Sequence, residues 1–451
     1  MAGRRLRLKE GSGASDYLGI VSETISHDDR GLADASRDPA EREQARKRIL
    51  FVDDEPDLLE SLRDAMRRYR RQWQVDFARG GNAALELLGD EPADVVVADM
   101  QMPEMDGATL LQRVRDLYPT TLRMVLSGHA SPQLLTRAAT VAHRFLGKPF
   151  DAAELGLLIE RSCALRELTE EAEAFRVTAA ATALPSRPGV YTRLTNVLSD
   201  PGWEPADVAK VVEADIAITA KVLQLANSAF FGVGREVTSV QQAVVYLGVE
   251  TIKSLTLTAE TFGVLAPETV HGFSIDEFQR HAMLVARIAA GILPDGRSQQ
   301  EAVTAALLHD VGKLVLIADD PFRWARLNHE AHRLQQPLHR VELEQEGVTH
   351  AATGAYLLSL WGLPDGVVEA VAHHHDPGAL PGLGLDPVAV VHIANALANE
   401  LAPKAEGRPP AQAIDDGLVH RLGLARKQST WRGLAAKYAN QLPAAAGSWN
   451  R

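Results

Sequence analysis

Arg48-Ile-Leu-Phe-Val-Asp-Asp54 is an apolar run of strand length closed by two carboxylates. Three further runs share that form: Asp94-Val-Val-Val-Ala-Asp99, Leu122-Arg-Met-Val-Leu-Ser127 and Arg144-Phe-Leu-Gly-Lys148, the last followed by Pro149. Each is β-branched or apolar, and helical patterns lie between them. Alternation of this kind predicts βαβ units and a parallel sheet buried on both faces. In such a sheet the carboxyl ends of the strands share one edge, where ligands bind. Asp53, Asp54, Asp99, Ser127 and Lys148 should therefore meet at that edge.

These residue types form a consistent chemistry. Three carboxylates in one crevice repel unless a hard divalent cation sits among them, and Mg²⁺ takes carboxylates plus waters. A phosphoryl group on Asp99 would be neutralised by the metal and by Lys148. The Ser127 hydroxyl can hydrogen-bond a phosphoryl oxygen. A flavodoxin-like domain with unrelated acids at its strand ends accounts for any one of these residues, but poorly for all of them in order.

Over roughly 48–166 the chain resembles the receiver domain of two-component response regulators. The resemblance is carried by the acidic doublet, the run Asp99-Met-Gln-Met-Pro-Glu-Met-Asp-Gly107, Ser127, and Phe145 placed before Lys148. It implies a doubly wound, five-stranded parallel sheet of flavodoxin type. It also implies that Asp99 is the phosphoacceptor, that Asp53 and Asp54 bind Mg²⁺ with Asp99, and that the Gln101 carbonyl completes the metal site. Ser127 and Phe145 become the switch pair, and a sensor histidine kinase becomes the phosphodonor.

Composition limits what the rest can be. A chain of 451 residues suggests two or three domains, and 46% hydrophobic content is enough for real cores. The net charge of −12 argues against a nucleic-acid-binding output, which usually presents a basic face. The single cysteine, Cys163, excludes a disulfide framework and fits a reducing cytoplasm. No apolar run approaches the length of a membrane span, and Arg4, Arg5 and Arg7 are not followed by the apolar stretch of a secretory signal.

Residues 1–46 are rich in Gly, Ser, Asp and Arg without periodicity and are expected to be a disordered tail. The receiver's last helix should begin near Asp151. Leu155, Leu158, Ile159, Ser162, Leu165 and Leu168 keep helical spacing, with neither Gly nor Pro between Gly156 and Pro185. Residues 167–183 are thus expected to form a helical linker, either merely amphipathic or continuous enough to transmit strain. From 184 the pattern turns helical, as in Ala206–Val212, Ile218–Ala226, Val240–Leu247 and Thr251–Phe262, with Pro and Gly at the breaks. A Pro- and Gly-rich loop is expected over Pro377–Pro387, and a helical extension with an Ala-rich tail over 386–451.

The second half holds most of the 15 histidines. His309-Asp310 ends an apolar helix, His281 lies on an earlier amphipathic one, His350 opens Ala351-Ala-Thr-Gly-Ala-Tyr-Leu-Leu358, and His373-His374-His375 precedes Asp376. Imidazoles and carboxylates on facing helices can hold a divalent metal that activates water. His329, His332 and His339 stand among Arg and Gln and read as surface or satisfied residues.

Asp215-Ile-Ala-Ile-Thr-Ala-Lys-Val-Leu-Gln-Leu-Ala-Asn-Ser-Ala-Phe-Phe-Gly232, Ser239-Val-Gln-Gln-Ala-Val-Val-Tyr-Leu-Gly248 and Trp361-Gly-Leu-Pro364 resemble the HDOD domain. That family is all-α, is related to the HD phosphohydrolases, and is thought to act mostly as a signalling or scaffolding module. The resemblance places the domain at 184–385. By similarity to HD and HD-GYP enzymes, His281, His309, Asp310, His350, His374 and His375 occupy ligand-like positions, which would suit iron or manganese. Two departures stand out. The terminal Asp ligand appears as Asn395, a weaker neutral ligand, and no Gly-Tyr-Pro follows the His triplet. The expectation is a cytoplasmic response regulator acting on an unknown downstream protein, with a homodimer open. Its output is a non-catalytic module, the alternative being a metal-dependent phosphohydrolase or cyclic-dinucleotide phosphodiesterase.

Overall fold

The computed structural model describes residues 46–127, 137–148, 150–169, 184, 190–200, 202–227, 236–262, 273–378, 384–402, 410 and 412–442. The expected N-terminal tail, nearly all of the linker and the final Ala-rich residues lie outside these.

The four quoted runs are strands β1 (Lys47–Asp53), β3 (Val95–Asp99), β4 (Leu122–Ser127) and β5 (Arg144–Gly147). The remaining strand, β2 (Trp73–Arg79), carries none of the motif residues. All pairings are parallel, in the order β2-β1-β3-β4-β5. Helices α1 (Pro56–Met66), α2 (Gly81–Asp90), α3 (Gly107–Leu117) and α4 (Ala152–Thr169) complete the described part of this α/β unit. Strand alternation sorts the core: Ile49 and Phe51 face one layer with Leu155, Ile159 and Cys163 of α4, while Leu50 and Val52 face the other with Leu110 and Leu111 of α3. The sheet reverses direction of growth at β1, between β2 and β3, so its carboxyl edge there is the expected crevice.

The rest is all-α. In order come α5 (Val190–Leu198), α6 (Pro205–Glu213), α7 (Ile216–Ala226), α8 (Val240–Leu247), α9 (Val249–Phe262), α10 (Ile275–Ile292), α11 (Arg297–Leu308), α12 (Val311–Asp319) and α13 (Pro321–Leu334). There follow α14 (Leu338–Glu346), α15 (His350–Leu360), α16 (Asp365–His373), α17 (Pro387–Glu400), α18 (Asp416–Arg421) and α19 (Gln428–Gln441). Local chemistry sets many starts. Asp215, Ser239, Ser274, Thr349 and Asp386 accept backbone N–H bonds as N-caps of α7, α8, α10, α15 and α17. Helices α7, α15 and α17 are apolar nearly all round and form the centre. No helix among the described residues is long and apolar enough to cross a membrane.

The two units touch directly at edge strand β5 and the segment before it. Arg144 Nη2 donates to the Ser359 carbonyl at the end of α15, 2.8 Å away. Tyr356 and Leu360 of α15 join the same apolar cluster as Leu146, Leu155 and Ile159. Gly362 follows in a left-handed turn, φ +82°, and a Cβ there would collide with the Arg144 guanidinium. On α7, Lys221 Nζ donates to the Ala139 carbonyl at 2.7 Å and sits 4.1 Å from the centre of the Trp361 ring. Gln224 Nε2 reaches the Ala142 and His143 carbonyls at 3.2 and 3.3 Å. Covering an edge strand in this way removes a site of unwanted pairing.

Lys221 gives this contact a pH signature. Burial, with the Arg123 guanidinium adding to it, pushes its ammonium down to about 7 from the ordinary 10.5. Between those values the unfolded chain holds a proton that the folded chain has released, so Lys221 adds stability as pH rises through the window and withdraws it as pH falls toward 7. The melting temperature of the native chain should therefore climb from pH 7 to 9 relative to that of Lys221→Met, which keeps the apolar stem. Parallel melting curves across that range would contradict the assignment.

Candidate functional sites

At the carboxyl edge of the sheet Asp53, Asp99 and Lys148 converge. Lys148 Nζ lies 2.8 Å from Asp53 Oδ2 and is ion-paired with Asp99 Oδ1. The other Asp99 oxygen, Oδ2, accepts from the Gln101 backbone N–H at 2.7 Å, and Asp53 Oδ1 accepts from the Glu55 N–H at 2.9 Å. Asp53 and Asp99 are buried, Asp54 is half-buried, and Gln101 is exposed. Burial raises the Asp99 carboxyl above its ordinary range, against the pull of Lys148. Burial opposes the Lys148 charge, but hydrogen bonds to Asp53 and Asp99 outweigh it and hold its pKa up. The ammonium thus does here the neutralising that the carboxylates require. Phe145 is buried on β5 in the apolar cluster that continues into the helical unit. Glu104, in the loop after Asp99, takes φ +64° and accepts from Asn82 Nδ2 at 3.1 Å.

The second site lies where α11, α12, α15 and α16 meet. Asp310 takes the N-cap position of α12, yet its side chain makes no capping bond. His309 Nδ1 is 2.7 Å from the Ala306 carbonyl, and His374 Nδ1 is 2.7 Å from the Val371 carbonyl. A carbonyl only accepts, so each Nδ1 carries a proton, and the other ring nitrogen, Nε2, is turned toward Asp310. Those Nε2 atoms and Asp310 Oδ1 are buried without a well-directed hydrogen bond. Ligand atoms of Asp310, His350, His374 and His375 all lie within 4.8 Å of one another, as do those of His281, His309 and Asp310, with Asp310 common to both groups.

The surroundings include residues that sequence reasoning missed. Glu342 of α14 is fully buried, and its Oε2 accepts from His350 Nδ1 at 2.6 Å and from the His350 backbone N–H at 2.9 Å. It satisfies an orphan donor at the start of α15 and fixes the His350 ring at once. Lys313 Nζ is 2.6 Å from Asp310 Oδ2. Gln412 Oε1 is 2.8 Å from His375 Nδ1. His339, expected to be uninvolved, stacks on His375 with ring centres 4.0 Å apart. Burial, with the His350 charge adding to it, pushes its pKa down to about 4. Burial would raise Asp310, but His309 and Lys313 beside it hold it well below the carboxylate range. Burial would lower His350, and Glu342 overturns that, so its pKa is raised. His374 and His375 are held neutral by burial. Asn395 touches the second group: its Oδ1 is 3.0 Å from His281 Nε2 and accepts from Asn399 Nδ2 at 2.9 Å. His392 is structural, joining the His374 carbonyl to the Asp415 N–H.

Comparison with known proteins agrees with both halves. Residues 49–160 match the response regulator receiver domain, and residues 184–377 match the HDOD domain. The chain is 33% identical over 125 residues to the regulatory protein AtoC of Escherichia coli, covering 28% of this chain and 27% of AtoC. Among solved structures, the signal receiver domain of an HD domain-containing protein from Pseudomonas fluorescens Pf-5 is 34% identical, with a TM-score of 0.25, over 28% of this chain and 96% of that one. The MmoQ response regulator of Methylococcus capsulatus is 20% identical, with a TM-score of 0.42, over 55% of this chain and 98% of that one. The chain spans well under two thirds of the length of its curated relatives, 27% for AtoC and 28% for the response regulator PilR of Pseudomonas aeruginosa. The parallel sheet with its acidic edge and the two domain matches define the architecture: a response regulator receiver domain followed by an HDOD domain.

Proposed function

We propose that a histidine kinase phosphorylates this chain on Asp99 and that the signal leaves through a non-catalytic HDOD module acting on a downstream protein. The observation that carries this reading is the Asp53–Lys148–Asp99 arrangement at the carboxyl edge of the sheet. Asp53, Asp54, Asp99 and the Gln101 carbonyl would hold Mg²⁺, which supplies charge neutralisation to the transferring phosphoryl group. Lys148 would stabilise the phosphorylated state, with Ser127 and Phe145 as the switch pair. We place the receiver at 48–166, the linker at 167–183, the HDOD domain at 184–385 and a helical extension beyond it.

The buried Nε2 atoms of His309 and His374, which have no well-directed hydrogen bond, favour a second reading for the same module. The donors present fit a divalent metal: Asp310, His350, His374 and His375 would hold it, with His281 and His309 beside them, and imidazole-rich sets suit iron or manganese. A bound metal would lower the pKa of a coordinated water. Glu342 would keep the His350 ring oriented. Lys313 already neutralises Asp310, and Asn395 supplies no negative charge, so partial occupancy and little or no hydrolysis are expected. Elemental analysis with a screen of cyclic and linear nucleotides tests the choice. The scaffold reading expects no turnover in either phosphorylation state. Stoichiometric metal with turnover that Asp310→Ala abolishes would make the module an enzyme.

A further inference from the structure

We infer that α15 is a rigid lever through which the phosphorylation state of the receiver sets divalent-cation affinity at the histidine and aspartate group. The inference rests on reading Asp310, His350, His374 and His375 as cation ligands.

One helix belongs to both sites. Its first residue, His350, lies 3.2 Å from Asp310 Oδ1 and 3.0 Å from His375 Nε2. Its last turn lies in the receiver: Leu360 and Tyr356 pack with Leu146 of β5 and with α4, and the Ser359 carbonyl accepts from Arg144. An eleven-residue helix is about 16 Å long, too short to bend appreciably. Movement at Ser359 must therefore appear at His350.

The helix also cannot slide independently of Asp310. It packs on α12 with backbone against backbone: a Cβ on Gly312 would collide with the His350 carbonyl, and one on Gly354 would come within 2.9 Å of the Gly312 nitrogen. Asp310 immediately precedes α12, so both ligands ride on one unit. At the other end Trp361, the residue after α15, is held under Lys221, which also grips the Ala139 carbonyl. The receiver segment before β5 and the end of α15 are therefore clamped together.

The receiver end has a source of motion. Lys148 follows β5 directly and divides its charge between Asp53 and Asp99. A phosphoryl group on Asp99 would take that ammonium for its own oxygens and so pull on β5, whose first residue is Arg144. A ligand shifts a distant equilibrium only by contacts that differ between two states, and the Arg144–Ser359 bond is placed to be such a contact. Coupling free energies of this kind change affinity by about 5–150-fold.

The test uses the full chain in excess Mg²⁺, which fills the receiver. Co²⁺ is titrated, and its visible band reports imidazole ligation. Titrations are made with and without beryllofluoride, a mimic of phosphoaspartate. We expect the two Co²⁺ affinities to differ at least fivefold. Arg144→Ala, with beryllofluoride binding and the cobalt band retained as evidence of folding, should reduce the difference below twofold. An imidazole-type band of equal affinity in both states would overturn the lever while leaving the cation site standing. Full coupling in Arg144→Ala would overturn the route. No imidazole band in either state would remove the cation reading itself, and the lever with it.

Discussion

Asp99→Asn is expected to abolish Mg²⁺-dependent incorporation of phosphate from a small acyl phosphate donor, at least a hundredfold below the native chain. The reason is positional. Asp99 closes the central strand, and its Oδ2 is fixed by the Gln101 N–H. Its other oxygen meets Lys148, the one cation among the described residues that joins both acidic strand ends. Asparagine keeps the shape but cannot form an acyl phosphate at neutral pH. Asp54→Ala should retain the acceptor while losing Mg²⁺ dependence, because it removes a ligand and not the nucleophile. Unchanged labelling of Asp99→Asn would transfer the assignment to another carboxylate.

Gly312→Ala is expected to be severe despite adding one methyl group. The new Cβ would strike the His350 carbonyl oxygen and crowd the Gly354 N–H, both backbone atoms with no rotamer to change. Overpacking a rigid contact costs about 1–3 kcal/mol, and α12 and α15 would have to separate to relieve it. That separation parts Asp310 from His350. The variant should therefore lower the melting temperature by several degrees, on the order of 2–4 °C per kcal/mol for a large domain. It should also reduce Co²⁺ binding although no ligand has been changed. Alanine at Gly433, an exposed position inside α19 where a Cβ meets nothing, is the control and should melt no lower than the native chain. Native-like melting and binding in Gly312→Ala would show that the helices are not in backbone contact.

The receiver was readable from sequence because its chemistry follows a period. Four strands end in a charged or hydroxyl residue, and parallel topology sends those ends to one edge. Strand β2 also ends in a charge, Arg79, but its half-exposed run is interrupted by Gln74 and Asp76 and gave no comparable signal. In the helical half, His309-Asp310 and the His triplet were visible as poor apolar fillers at helix ends. Glu342 was not, because Leu338–Glu346 reads as a solvated, charge-rich helix, and only its position beside buried Val341 betrays it. Lys313 looked like an ordinary residue of a Val-Gly-Lys step. The contact between the units was also hidden. The available clue was Lys221, a lone charge in an otherwise apolar helix, which the structure explains by the Ala139 carbonyl and the Trp361 ring. The expected linker helix is seen as far as Thr169, and residues 170–183 lie outside the described chain. Direct contact through β5 and α15 supplies a route that needs no such linker.

Hydrogen–deuterium exchange of the full chain, with and without beryllofluoride, tests most directly the claim that the receiver's state is passed to the HDOD module. The account expects altered exchange at Arg144–Gly147 and also across the interface, in His350–Leu360 and Ile216–Ala226, with every change lost in Asp99→Asn. Changes confined to residues 46–169, with α7 and α15 exchanging identically in both states, would contradict it.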